Sequence, residues 1–303
     1  MKKIGLLVLG FFFLGSMAQA KALKFEDQYE LFDGGKVSLV SQNQKPIYLK
    51  FWASWCLDCR KELPSLEQTY LRYKDKIDMF AVNLNINETT EDIAKLKQKN
   101  HLTIPIVMDN NGSIASNFEF VGTPFHVLID SVGKVVYTTY KDDANLQIQL
   151  EALSKNKSMS ESAHATADDV GIKQALTKGF SLVYFTASWC DWYMKDIHPE
   201  MSSNCLKATE LINDLYRDNS RLSLQAYVTH LWTSEQDLSE YVKKFSIGYK
   251  VKIDQNNELA RFYKVNQYPT LILMIDGKEI KRFSRFEDAK AIRSDIKNIN
   301  SKM

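Results

Sequence analysis

Lys50-Phe51-Trp52-Ala53-Ser54-Trp55-Cys56-Leu57-Asp58-Cys59-Arg60-Lys61-Glu62-Leu63-Pro64 is the stretch that decides how this chain folds. Ile47–Ala53 is an apolar run of strand length. Cys56–Tyr73 has helical periodicity, with Leu63, Leu66, Tyr70 and Tyr73 on one side. Cys56 and Cys59 therefore fall where a strand ends and a helix begins. The unpaired N–H groups and macrodipole of a helix N-terminus favour a thiolate at Cys56. Cys59 follows one turn later, close enough to close a small disulfide ring. Zinc is the other common reading of C-x-x-C, but structural zinc wants four ligands. The other cysteines, Cys190 and Cys205, lie far away in sequence, and no Cys- or His-rich pair accompanies the motif. Thiol-disulfide chemistry without a metal is the better account.

Working outward, Ala53-Ser54-Trp55-Cys56 recurs letter for letter as Ala187-Ser188-Trp189-Cys190, with Tyr193 in place of a second cysteine. Further punctuation repeats. Asp109 lies 15 residues before Pro124, and Asp254 lies 15 before Pro269. Each proline opens an apolar run that ends at a Gly-Lys turn, Gly133-Lys134 or Gly277-Lys278. Shared punctuation at a fixed offset signals an internal duplication. The step from cysteine to proline is 68 residues in the first half and 79 in the second. The extra length is expected near Met201–Ala208.

Both halves alternate strand and helix. In the first, Met79–Leu84, Phe125–Ile129 and Lys134–Tyr140 read as strands and Glu91–Lys99 as a helix. In the second, Ser181–Ala187, Leu222–Thr229 and Leu271–Ile275 read as strands; Leu206–Tyr216, Glu235–Lys244 and Phe286–Ile296 read as helices. Such alternation predicts an α/β sheet flanked by helices.

Lys2 and Lys3, the apolar Ile4–Leu14 and the small-x-small Ala18-Gln19-Ala20 read as a secretory signal peptide over residues 1–20. An uncleaved anchor is the alternative, and no later segment is long and apolar enough to span a bilayer. Export places the four cysteines in an oxidising compartment, the periplasm. Ser154 to Asp169 is small and polar and reads as a loop. The expected organisation is a C-x-x-C domain over 21–153, a linker over 154–168 and a degenerate copy over 169–303. At 45% hydrophobic and 25% charged the composition is that of a globular protein, and a net charge of +2 without a basic block gives nucleic-acid binding no support.

The segment Lys50–Pro64, the Asn/Asp-rich Asp109–Gly112 and Gly122-Thr123-Pro124 together resemble the TlpA/ResA-like thioredoxins, exported thiol-disulfide oxidoreductases. The resemblance covers Lys24 to Ala152. It implies two tandem thioredoxin-like folds, each a central mixed sheet flanked by helices, the second recognisable from Trp189-Cys190 and Tyr268-Pro269. It implies that Cys56 attacks, that Cys59 resolves the mixed disulfide, that Pro124 is cis and faces the dithiol, and that Thr123 offers backbone groups to a client. Glu62 falls where relatives carry an acidic residue near the cysteines; a solvated helix position is its bland alternative. Trp55 is expected to shield the dithiol and contact substrate, Trp52 to pack, and Pro64 to bend the helix. His126 is expected to pack. The departures are Lys50, expected to snorkel to solvent, and Asp58, which disfavours the thiolate slightly.

For the second half three readings stay open: a structural or docking domain, a monothiol site at Cys190, or a Cys190–Cys205 pair beside Pro269. An unbroken helix would set those cysteines about 22 Å apart, whereas a disulfide needs Cα atoms within about 7 Å. A pair therefore requires a break, for which Pro199 and Ser202-Ser203-Asn204 are the candidates. A copper-binding reading would use Cys190, Cys205, His198 and His230. The expectation is a periplasmic thiol:disulfide oxidoreductase needing no cofactor. It would reduce exported proteins such as apocytochromes and draw electrons from a membrane thiol-transfer protein. A disulfide isomerase and a copper-binding assembly factor are the alternatives. The chemistry requires a solvent-reachable sulfur pair at positions 56 and 59.

Overall fold

The computed structural model describes residues 22–40, 44–155 and 179–300. The expected signal peptide and most of the expected linker lie outside these residues. A short antiparallel ribbon, β1 (Tyr29–Glu30) and β2 (Lys36–Val37), opens the described chain. The first half continues through β3 (Ile47–Trp52), α1 (Leu57–Tyr73), β4 (Asp78–Asn83), α2 (Thr90–Lys99), β5 (Ile106–Met108), β6 (Phe125–Ile129), β7 (Val135–Thr139) and α3 (Ala144–Leu153). The second half is β8 (Phe180–Thr186), α4 (Cys190–Tyr193), α5 (Pro199–Asp218), β9 (Leu224–Thr229), α6 (Glu235–Lys244), β10 (Val251–Asp254), α7 (Glu258–Phe262), β11 (Thr270–Ile275), β12 (Lys278–Phe283) and α8 (Ala289–Asn300).

Each half builds a five-stranded mixed sheet, in the orders β5-β4-β3-β6-β7 and β10-β9-β8-β11-β12. The first three strands of each order are parallel and the last two antiparallel. The central strand β3 is buried on both faces. Ile47, Leu49 and Phe51 join one core with Phe80, Val82, Phe125 and Val127. Tyr48 and Trp52 face the other way, into a core with Leu63 and Leu66 of α1 and Leu146 and Leu150 of α3. This alternation follows from the two-residue period of a strand. The Gly-Lys turns close the hairpins β6–β7 and β11–β12, and Gly133 (φ 84°) and Gly277 (φ 75°) take the left-handed conformation such turns need.

The duplication shows in detail after β4, where equivalent residues are 145 apart. Asp109 accepts N–H bonds from Ile114 (3.0 Å) and Ala115 (2.9 Å); Asp254 accepts them from Leu259 (2.9 Å) and Ala260 (2.7 Å). Burial pushes both carboxyls up to about 6, against these hydrogen bonds, which pull down. A raised acid pKa means the folded state holds its proton longer than the unfolded chain. Stability therefore falls as pH rises from about 4 to about 6. Relative to Asp254→Asn, the native chain should lose on the order of 3 kcal/mol across that window, measured by urea unfolding at stepped pH. Parallel curves for the two proteins would refute this.

Candidate active site

The strand β3 delivers the chain to a tight turn in which Cys56 N–H donates to Ala53 O (3.2 Å). Cys56 is the N-cap of α1, with extended backbone (φ −73°, ψ 108°), and its Sγ accepts the Cys59 N–H at 3.2 Å. Cys56 and Cys59 form a disulfide with Cα atoms 5.2 Å apart. Reduction at a helix N-terminus leaves the first sulfur beside free N–H groups, which stabilise its thiolate. Asp58, between the cysteines, is tied to Lys61 at the surface (2.7 Å). Thr123–Pro124 is a cis peptide, as is Tyr268–Pro269 in the second half. The helix α1 runs without interruption through the exposed Pro64.

Lys50 does not snorkel. It occupies the middle of β3, between β4 and β6, and shares the Tyr48 and Trp52 face under α1, so its stem has no route to water. It is 0% exposed and ion-paired with Glu62 at 2.5 Å. His126 is its cross-strand neighbour on β6. Its Nε2 lies 3.4 Å from Glu62 Oε2, and its Nδ1 is 2.7 Å from the Tyr48 hydroxyl. Burial pushes the Tyr48 phenol well above its ordinary value, so it keeps its proton and donates to Nδ1. Burial also holds the Lys50 ammonium and the His126 imidazole below their usual values. Burial pushes Glu62 up, but His126 and the Lys50 charge outweigh it and keep the carboxylate below its usual range. Glu62 is thus no solvated helix residue, and His126 is more than packing. The two belong to one buried ionic cluster one turn beyond Cys59.

The second half closes over this site. Cys56 is 2% exposed and Cys59 0%, so the solvent-reachable dithiol expected from the sequence is not found in this arrangement. Trp55, itself buried, stacks on Trp189 with ring centroids 5.0 Å apart. Tyr193 packs edge-on against both rings, and its hydroxyl accepts the Leu57 N–H at 3.1 Å, one of the free donors at the start of α1. The residue in the missing cysteine's slot therefore caps the helix of the intact dithiol. The aromatic run Trp189, Trp192, Tyr193 was the one sequence signal for this contact. Trp52 is fully buried in the core, as expected.

The family model for AhpC/TSA proteins matches residues 17–138, and that for thioredoxin matches residues 230–298. The chain is 29% identical over 118 residues to thiol-disulfide oxidoreductase ResA of Bacillus thuringiensis subsp. konkukian (strain 97-27), covering 39% of this chain and 67% of that protein. It is 32% identical over 108 residues to sporulation thiol-disulfide oxidoreductase A of Bacillus subtilis (strain 168), covering 35% of this chain and 65% of that protein. The first half is similar to the TlpA/ResA-like thioredoxins. The solved structure of StoA from Bacillus subtilis is also similar, at 26% identity, covering 40% of this chain and 92% of that one with a TM-score of 0.36.

The chain also carries a second thioredoxin-like fold and a second disulfide, Cys190–Cys205, with Cα atoms 6.2 Å apart. Of the three open readings of the second half, the bond between Cys190 and Cys205 is present, and the contacts over the first dithiol accord equally with the structural or docking reading. The helical break that the bond requires is present, but at Met194–His198, between α4 and α5. Pro199 occupies the first turn of α5, where a missing N–H costs nothing. Ser202, Ser203 and Asn204 are helical and take no part in the break. His198 pairs with Glu200 (3.3 Å), while His230 accepts the Asn256 N–H (3.4 Å). Among the described residues no group of three His, Cys, Asp or Glu side chains gathers as a metal site.

Proposed function

We propose that this oxidoreductase reduces disulfides in exported proteins, in the periplasm. The observation that carries the reading is the Cys56–Cys59 pair at the N-terminus of α1, with Cys56 as N-cap. In the reduced chain the Cys56 thiolate attacks one sulfur of a client disulfide, and the other leaves as a thiolate that takes a proton. Cys59 then attacks Cys56 Sγ, releasing the second client thiol and leaving the Cys56–Cys59 disulfide. Two electrons pass to the client, and a membrane thiol-transfer protein returns them. Apocytochromes are a fitting client class. Thr123 and Pro124 form the client groove, Trp55 its wall, and Glu62 tunes the pair through its charge. Residues 1–20 act as the signal peptide, and residues 154–168 link domains at 21–153 and 169–303. Among the described residues no helix is long and apolar enough to cross a membrane.

Equilibration with glutathione or dithiothreitol buffers tests the direction of electron flow. A reductase should have a potential near that of thioredoxin, about −270 mV, and should turn over insulin. A potential near about −120 mV would make the chain an oxidant and overturn the reading. Refolding of scrambled ribonuclease without net reduction would move it to the isomerases.

A further inference from the structure

Each half sends one loop into the other half's cis-proline groove. The loops follow β4 and β9 and are equivalent: Ile86-Asn87 matches Leu231-Trp232 at the 145-residue offset. Both Asn87 (φ 52°) and Trp232 (φ 51°) are left-handed. The indole N–H of Trp55 donates to Ile86 O (2.7 Å), and that of Trp189 donates to Leu231 O (2.8 Å). Each active-site tryptophan therefore braces its own half's loop. The loops then cross. Asn87 N–H donates to Asn266 O (2.8 Å), and Trp232 N–H donates to Val121 O (2.5 Å). Asn266 and Val121 each stand three residues before a cis proline.

Beyond that shared bond the two grooves differ. In the second half the Asn87 side chain satisfies the residue before Pro269 completely: it accepts Tyr268 N–H (2.6 Å) and donates to Tyr268 O (3.0 Å). In the first half Thr123 takes that place, and its hydroxyl is buried without a hydrogen-bond partner. The loop's Trp232 ring packs edge-on to Trp55 (5.2 Å) and to Trp189 (5.4 Å). It lies against Gly122, where an added Cβ would meet Trp232 Nε1 at 2.3 Å. A bare glycine and the Trp55 and Trp189 rings thus line a seat that holds an aromatic ring, with the unpaired Thr123 hydroxyl on the next residue of the chain.

We infer that the Trp232 loop stands in for the client. The substrate of the first half is accordingly an extended segment of protein with an aromatic side chain beside its disulfide cysteine. That side chain displaces Trp232 from Gly122 and Trp55. The inference rests on the reading of Cys56 and Cys59 as the exchanging pair. A client reaches Cys56 only after Trp232 leaves.

The test uses the full chain, pre-reduced, and three disulfides capped with 2-nitro-5-thiobenzoate: a peptide with Trp beside its cysteine, the same peptide with Ala there, and capped N-acetylcysteine. Release of the yellow thiolate reports each two-electron exchange. Trp232→Ala should speed the Trp peptide at least about tenfold and prefer it over the Ala peptide by about fivefold or more. Gly122→Ala, whose methyl group fills the seat and expels the ring, should speed the small probe yet erase the preference. Melting curves establish that each variant folds. Unchanged peptide rates in Trp232→Ala, or no aromatic preference in it, overturn the inference while leaving the exchange reading intact. Failure of native chain and both variants to release thiolate even from N-acetylcysteine removes the exchange reading, and this inference with it.

Discussion

Cys56→Ser leaves insulin turnover at the uncatalysed rate, a fall of about a thousandfold or more, whereas Cys59→Ser halts exchange as a stable mixed disulfide. The asymmetry follows from position. Cys56 is the N-cap and meets the free N–H groups of α1, while Cys59 sits inside the first turn with no exposure. An oxygen nucleophile cannot replace the first sulfur, because a serine hydroxyl stays protonated and attacks disulfides poorly. Without the second sulfur, the first attack proceeds but nothing releases the client. The second half lacks the same arrangement, since Tyr193 stands where the first half has Cys59 and the helix that begins at Cys190 is only four residues long. Turbidity of reduced insulin and non-reducing gels measure the two outcomes. Full turnover by Cys56→Ser would transfer the chemistry to the second half.

Glu62→Leu is the most damaging single change expected for stability. It strips the counter-charge from Lys50, a fully buried ammonium whose only ion pair among the described residues is with Glu62. Removing one partner of a buried pair costs about 3–5 kcal/mol, because the remaining charge has lost its compensation. The double variant Lys50→Met/Glu62→Leu should recover most of that loss, since replacing both charges with apolar groups is often neutral. The pH dependence has a fixed sign. A carboxylate held below its ordinary value contributes stability at neutral pH, and that contribution disappears as acid protonates it through its folded pKa. Urea unfolding at pH 7 and in mild acid checks both statements. A single variant as stable as the native chain would show that Lys50 finds water after all.

The strand-to-helix junction, the duplicated motif and the positions of both cis prolines were legible because each rests on local chemistry. Phe125–Ile129 and Glu235–Lys244 even matched end to end, since a cis-proline junction and a Ser234 capping box punctuate them sharply. Lys50 was misread because its environment is set by what lies above its face. A lysine six residues before the dithiol looks free to reach solvent until α1 is laid across it. The Cys190–Cys205 bond was one of three readings because helix continuity decides it, and the chain turns at Met194, where no proline or glycine marks the break. Burial of the dithiol was invisible for a different reason: it depends on how one half docks on the other, which no local pattern records.

The reciprocal fit of the halves has a consequence for assembly. Two separate copies that met in this way would form an isologous dimer, with one surface patch used twice about a dyad between the stacked Trp55 and Trp189. Such a dimer dissociates on dilution. Joining the copies in one chain replaces protein concentration by an effective local concentration on the order of millimolar for a short tether. Mutual embrace then no longer depends on how much protein the compartment holds, and once both copies need not be alike, one is free to lose a cysteine.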